Sequence, residues 1–237
     1  GMIFSSAYAT IVGILAPLIT EETVVVSDAL NHNCIINAMR LARPAHKAVY
    51  AHNDLAALDR ACAEAVGRGK RLLVVTDGIF SMRGDHAPLA GIMKTVRKYD
   101  PRFEENAFLV VDDSHGVGAF GETGRGTEEY TGTRVDILVG TLGKAFGVNG
   151  GYVVADEAVI RYLRETSPFY IYSNPITPGE ARAALTSLRV LDSPLGRQLL
   201  ENLRTLTKRF EDGLGKLGLE TIRGDHPVVP LMVRDTQ

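Results

Sequence analysis

Short runs of β-branched and other apolar residues alternate with stretches of helical periodicity along this 237-residue chain, and that alternation restricts its fold more than any other feature. Runs at 23–27, 47–50, 71–76, 108–112, 135–140 and 151–155 have strand length and end on polar or glycine residues. Between them, 33–42, 54–66 and 88–99 carry apolar residues at helical spacing, the second starting from Asn53 or Asp54 as cap and the third opened by Pro88. Runs apolar at every position suit strands covered on both faces, so the expected class is α/β: a three-layer α/β/α arrangement around a mostly parallel sheet. Beyond residue 174 the pattern turns helical at 178–191 and 195–217, and 219–223 and 228–233 have strand character. The expected organisation is a large domain over 1–190, then a connecting helix and the beginning of a small α+β domain over 191–237.

Composition removes several function classes. A net charge of −2, with no basic run interleaved with aromatic residues, gives no footprint for nucleic acid. The apolar stretch 11–19 is too short to span a membrane and contains Pro17, so neither a membrane nor a secretory route is expected, and the cytoplasm is the default. Cys34 and Cys62 lack metal-ligand spacing and read as reduced packing residues, and no metal is expected.

Two strand ends carry the chemistry. The run at 135–140 leads into Gly140-Thr141-Leu142-Gly143-Lys144-Ala145-Phe146-Gly147. A lysine held in a glycine-rich turn is poorly explained as a solubilising charge, because a crowded amine loses its proton near neutrality and attacks carbonyls. Alone, such a loop would equally cradle a nucleotide phosphate or turn a corner. One strand earlier, five apolar residues run into Asp112-Asp113-Ser114-His115-Gly116-Val117-Gly118. Ligands gather at the carboxyl ends of strands in open α/β sheets. An acid there to pair with a protonated pyridine nitrogen, and a lysine one strand on to hold an aldehyde as an imine, are the demands of pyridoxal phosphate. A lone aspartate would read instead as a turn or helix cap. Ser114, His115 and Asp112 lie too close in sequence to form a hydrolase relay.

These segments, with Ser27-Asp28-Ala29-Leu30-Asn31-His32, His52-Asn53-Asp54, Thr76-Asp77-Gly78-Ile79-Phe80-Ser81-Met82, Gly124-Arg125-Gly126 and Tyr172-Ser173-Asn174, resemble the α-oxoamine synthases. These are fold-type I pyridoxal phosphate enzymes that join an amino acid to an acyl-CoA. The resemblance runs over nearly the whole chain, in wording closest to the 2-amino-3-ketobutyrate CoA ligase (glycine C-acetyltransferase) branch. It implies a Schiff base between pyridoxal 5′-phosphate and Lys144, Asp112 on the ring nitrogen, His32 stacked over the ring, and Ser81 and His115 beside its phenolic oxygen, with Asp77 in support. Catalysis then falls to Lys144, Asp112, His32 and His115. For the phosphate, the small-residue turn 5–10 suits a helix start, and the resemblance places Ala7 and Tyr8 there with Thr141. Ser173 is implied to reach the partner subunit's phosphate, hence a homodimer with shared sites.

The implied substrates are glycine or another small amino acid and an acyl-CoA. Two alternatives stand beside this: an 8-amino-7-oxononanoate synthase-like member using alanine, and a non-catalytic pyridoxal phosphate-binding fragment. Three departures bear on the choice. Ala7 stands where the family usually has glycine, and Tyr152 occupies the place, eight residues after the lysine, where ordinary aminotransferases carry a phosphate-binding arginine. The family's N-terminal arm, and the C-terminal arginine that binds the substrate carboxylate, are expected to lie outside these 237 residues.

Overall fold

The computed structural model describes residues 1–233. Seven strands form one sheet in the order β1-β7-β6-β5-β4-β2-β3: β1 (Met2–Phe4), β2 (Thr23–Asp28), β3 (His46–Tyr50), β4 (Arg71–Asp77), β5 (Asn106–Asp112), β6 (Ile137–Thr141) and β7 (Gly151–Ala155). From β3 to β6 every pairing is parallel, while β7 runs antiparallel to both its neighbours. The α/β class and the mostly parallel sheet are therefore as expected.

Alternate residues of each strand feed opposite layers, which is why the runs are apolar at both parities. Val25, Leu73, Val75, Val110 and Val139 pack with residues of α1 (Ala7–Leu18), α2 (Asn33–Ala42) and α6 (Glu157–Thr166). Val24, Val26, Leu72, Val74, Leu109 and Val111 pack with α3 (Leu55–Ala65) and α4 (Leu89–Tyr99) on the other face. Each such side chain, fully buried, contributes ~1.5–3 kcal/mol, so the central strands hold the frame on which the loops are mounted.

Helix starts follow their capping residues. Asp54 accepts the backbone N–H groups of Ala56 and Ala57 at the start of α3. The helix after Tyr172, α8 (Pro178–Leu191), opens with a reciprocal Thr177 and Glu180 box. Pro88 is the N-cap of α4 rather than its first residue. The short helices α5 (Thr127–Thr131) and α7 (Pro168–Ile171), together with β1 and α6, add to the expected elements. Among the described residues no helix is long and apolar enough to cross a membrane.

One expectation is corrected. After α9 (Pro194–Lys216), the stretches 219–223 and 228–233 form no strands, only the single antiparallel bridge Thr221 to Leu231. Pro227 and Pro230 remove donors from any ladder there, and among the described residues no further strand lies alongside.

Candidate active site

The strand order reverses at β2: β3 lies to one side of it and β4 to the other, so the carboxyl ends of β2, β4, β5 and β6 open onto one crevice. Asn31, just past β2, locks two of these ends together. Its Nδ2 donates to Ser27 Oγ at 2.9 Å and to Val75 O at 2.8 Å, and its Oδ1 accepts from Asp77 N at 2.9 Å. His32 follows as the N-cap of α2, with its own N–H donating to Asp77 Oδ2 at 3.1 Å. Asp77 is buried, and its Oδ1 has no hydrogen-bond partner. Burial, then the neighbouring Asp112, pushes its carboxyl well above the usual range.

Asp112 sits directly across from Asp77 in the β4 to β5 register. Its Oδ1 accepts from Ser114 N at 3.1 Å and Ser114 Oγ at 2.5 Å, which fixes the carboxylate's rotation and turns Oδ2 toward Cys34 Sγ at 3.7 Å. Ser114 is thus spent on Asp112, so no hydrolase relay exists.

Asp113 points the other way. It is fully buried and accepts from Thr127 N at 2.7 Å and Thr127 Oγ1 at 2.5 Å. Gly78, Gly116 and Gly126 surround it so closely that a Cβ on any of them would collide with the carboxylate. Burial pushes this carboxyl up from 3.8 to about 7, against the lowering effect of the Thr127 bonds. A raised folded-state value means that the folded chain binds the proton more tightly than the unfolded one, so stability falls as pH rises from about 4 to about 7. Asp113→Asn is expected to flatten that slope. Melting curves at pH 5 and pH 8 measure it: the Tm loss on going to pH 8 should be smaller by several degrees in the variant, and equal losses would refute the assignment.

Lys144 is carried by the turn between β6 and β7. Leu142 N donates to Gly150 O at 2.9 Å, Val148 N to Leu142 O at 2.8 Å and Gly147 N to Lys144 O at 3.0 Å, so the turn is internally braced while Lys144 itself stays exposed. Gly147 and Gly150 have φ of +66° and +126°, which side-chain-bearing residues rarely adopt. Thr141, buried at the end of β6, accepts from Gly143 N at 3.1 Å and pairs in register with Gly151. Gly151 in turn lies so close to Ser6 and Ala7 that a Cβ there would strike their backbone. Through these neighbours the N-terminus of α1 comes beside Thr141, with Ser6 capping it through Ala9 N at 3.1 Å. Helix N–H groups and a hydroxyl converge there as an anion site requires. Tyr8 OH accepts from Asn37 Nδ2 at 2.8 Å, tying α1 to α2. Tyr152 packs over Gly140, whose missing side chain leaves room for its ring.

His115 and Lys144, with Ser114, line a cavity of about 510 Å³ whose far wall is Val190, Leu191, Leu199, Leu200 and Leu203. Burial, then Lys144 and His32, lowers the His115 imidazole to about 4, so it is neutral at pH 7 and carries one N–H to donate. Ser81 is half-buried, in the turn after β4, and its hydroxyl makes no hydrogen bond among the described residues. That turn is tethered to β2 by His52, whose Nδ1 and Nε2 each lie 3.0 Å from a carboxylate, of Asp28 and Asp85 respectively.

The structure thus draws His32, Asp112, His115, Lys144 and the supporting Asp77 to one crevice, with Ala7, Tyr8 and Thr141 along its edge. Ser173 is not among them. It lies in the exposed stretch after α7, beside Tyr172 at 86% exposure, and does not line the Lys144 cavity. Three contacts went unread in the sequence: Ser114 to Asp112, Cys34 to His32, and Cys34 to Asp112. The first two are legible as contacts between residues two apart, whereas Cys34 to Asp112 spans 78 residues and has no local signal.

The model of the family described as aminotransferase class I and II matches residues 1–237. An 8-amino-7-oxononanoate synthase of Geobacter metallireducens is 42% identical over 234 residues, covering 98% of this chain and 58% of that protein. A 2-amino-3-ketobutyrate coenzyme A ligase of Salmonella typhimurium is 38% identical over 238 residues, covering 99% of this chain and 58% of that one. Among solved structures, Sphingomonas wittichii serine palmitoyltransferase superposes with a TM-score of 0.89 at 28% identity, over 99% of this chain and 57% of that one. The chain therefore spans about three fifths of the length of the curated relatives it matches. With this fold and these relatives, the chain belongs to the aminotransferase class I and II family, among its α-oxoamine synthases.

Proposed function

We propose that the chain binds pyridoxal phosphate at these strand ends and joins the α-carbon of an amino acid to the acyl group of an acyl-CoA, releasing the CoA thiol. The observation that carries this is Asp112 and Lys144 on adjacent strand ends, the carboxylate held in one rotation by Ser114. The chain's donors fit the cofactor: an amine for its aldehyde, a buried acid for its ring nitrogen, and a helix N-terminus with a hydroxyl for its phosphate. When bound, pyridoxal phosphate supplies an electron-withdrawing ring that acidifies the substrate's α-hydrogen.

The residues divide the work. Lys144 makes the covalent attachment and, once freed, takes the α-proton at Nζ. Asp112 would hold a proton on the ring nitrogen through its buried carboxylate. His32 covers one face of the ring and restrains its tilt. His115, neutral, donates its N–H to the phenolic oxygen, with Ser81 alongside. Ala7, Tyr8 and Thr141 hold the phosphate. Ser173, on a surface that also exposes Phe169, Tyr170, Ile171 and Tyr172, is proposed to complete the phosphate site of a second subunit.

For substrates, the reading is glycine and a short acyl-CoA. The second reading is an 8-amino-7-oxononanoate synthase-like activity with alanine as the amino acid, supported by relatives of that name. Thiol release separates them: the chain with pyridoxal phosphate is given glycine or alanine with acyl-CoAs of increasing chain length from acetyl-CoA upward, and free CoA is measured. Release is expected only with amino acid and thioester together, fastest with glycine and acetyl-CoA. The alanine pair being faster selects the second reading, and release from no pair refutes both.

A further inference from the structure

Cys34 has a place that core packing alone does not explain. It is the second residue of α2, 2% exposed, and its backbone N–H donates to His32 Nδ1 at 3.3 Å. Its Sγ lies 2.9 Å from the same Nδ1 and 3.7 Å from Asp112 Oδ2. His32 Nδ1 accepts the backbone N–H, so the neutral ring carries its proton on Nε2. The single thiol hydrogen therefore lies between two acceptors, one on each of two residues proposed to touch the cofactor ring. Asp112 Oδ1 is already occupied by Ser114, which leaves the thiol as the protein partner of Oδ2 among the described residues.

We propose that Cys34 is a positioning residue whose thiol fixes His32 and Asp112 relative to one another, and so sets how the ring is stacked and how its nitrogen is held. The part concerning the ring rests on the pyridoxal phosphate reading, whereas the coupling of His32 to Asp112 does not. Burial, then the Asp112 and Asp77 carboxylates, pushes the thiol far above the usual thiol range, so it stays protonated as a donor and is no nucleophile. The charged and titratable groups around the pair are Asp77 from β4, Asp112 from β5, and His115 and Lys144 from the following turns. Residues that orient a contacting group typically change its affinity by ~10-fold or more when removed from metal sites, and a weaker thiol contact should give less.

Cys62 supplies the control. It is equally buried but packs with α4 and β-strand residues on the far face of the sheet. The test compares Cys34→Ala, Cys34→Ser and Cys62→Ala with the parent chain in two measurements. The first is the ¹⁵N NMR spectrum of the His32 ring in the ligand-free chain. The second is the affinity for pyridoxal phosphate, read from its visible absorption. Cys34→Ala is expected to change the His32 ring signals and to weaken the cofactor ~3–10-fold. Cys34→Ser, which restores a donor of similar size, should recover most of both, and Cys62→Ala should change neither. The proposal is overturned if Cys34→Ala leaves the His32 ring signals at the parent positions, or if Cys62→Ala shifts them equally. Shifted signals in a chain that binds no pyridoxal phosphate would uphold the coupling and refute the cofactor reading instead.

Discussion

Lys144→Ala is expected to leave a folded chain that forms no borohydride-stable adduct with pyridoxal phosphate and releases CoA at a rate lower by about 10³-fold or more. The fold should survive because Lys144 is exposed and its turn is braced by backbone bonds, Leu142 to Gly150 and Val148 to Leu142, rather than by its side chain. A surface substitution of this kind changes stability by roughly 0.5 kcal/mol or less. Mapping the reduced peptide by mass spectrometry is the check. An adduct of undiminished yield in the alanine chain would place the reactive amine elsewhere.

Asp112→Asn separates holding the cofactor from using it. Asparagine can still accept the Ser114 N–H, so the carboxamide keeps its place in the crevice, and the Lys144 adduct should form normally. A neutral amide cannot keep a proton on the ring nitrogen, so exchange of glycine's α-hydrogen with deuterated water should fall by about 10²–10⁴-fold. Exchange at the parent rate would remove Asp112 from its proposed role. The substitution has a second consequence, of opposite sign for stability. Asp112 contributes to the raised carboxyl of Asp77, so neutralising it relieves a like-charge repulsion, and the variant should be no less stable than the parent at pH 7.

What could be read in advance, and what could not, divides along a physical line. The runs that became β2, β4, β5 and β6 announce themselves because both faces are covered, and Asp112 and Lys144 stand out at or just past the ends of two of them, whereas His32 is legible as more than a cap only through the family resemblance. β1 has only three residues, too few for any period, and is identifiable only through its partner β7. The 228–233 stretch has strand-like residues but prolines at 227 and 230, and a single bridge results. The Cys34 contact joins residues 78 apart and exists only once β2 and β5 share a sheet. Ser173 is different again, since its proposed role needs a second chain.

The pairing of Met2 with Val153 also orders events in time. A ribosome adds about 5–20 residues per second, so the first strand of the sheet waits roughly 8–30 s for the strand that completes it. During that interval the inner strands can assemble, but α1 has no Gly151 to rest against, and its N-terminus has not yet met Thr141. The proposed phosphate site consequently cannot form before β7 has been made, although α1 and β1 are among the first segments to emerge. On the proposed reading, a nascent chain stopped short of β7 should gain nothing from pyridoxal phosphate, and one that has passed it should be stabilised by it.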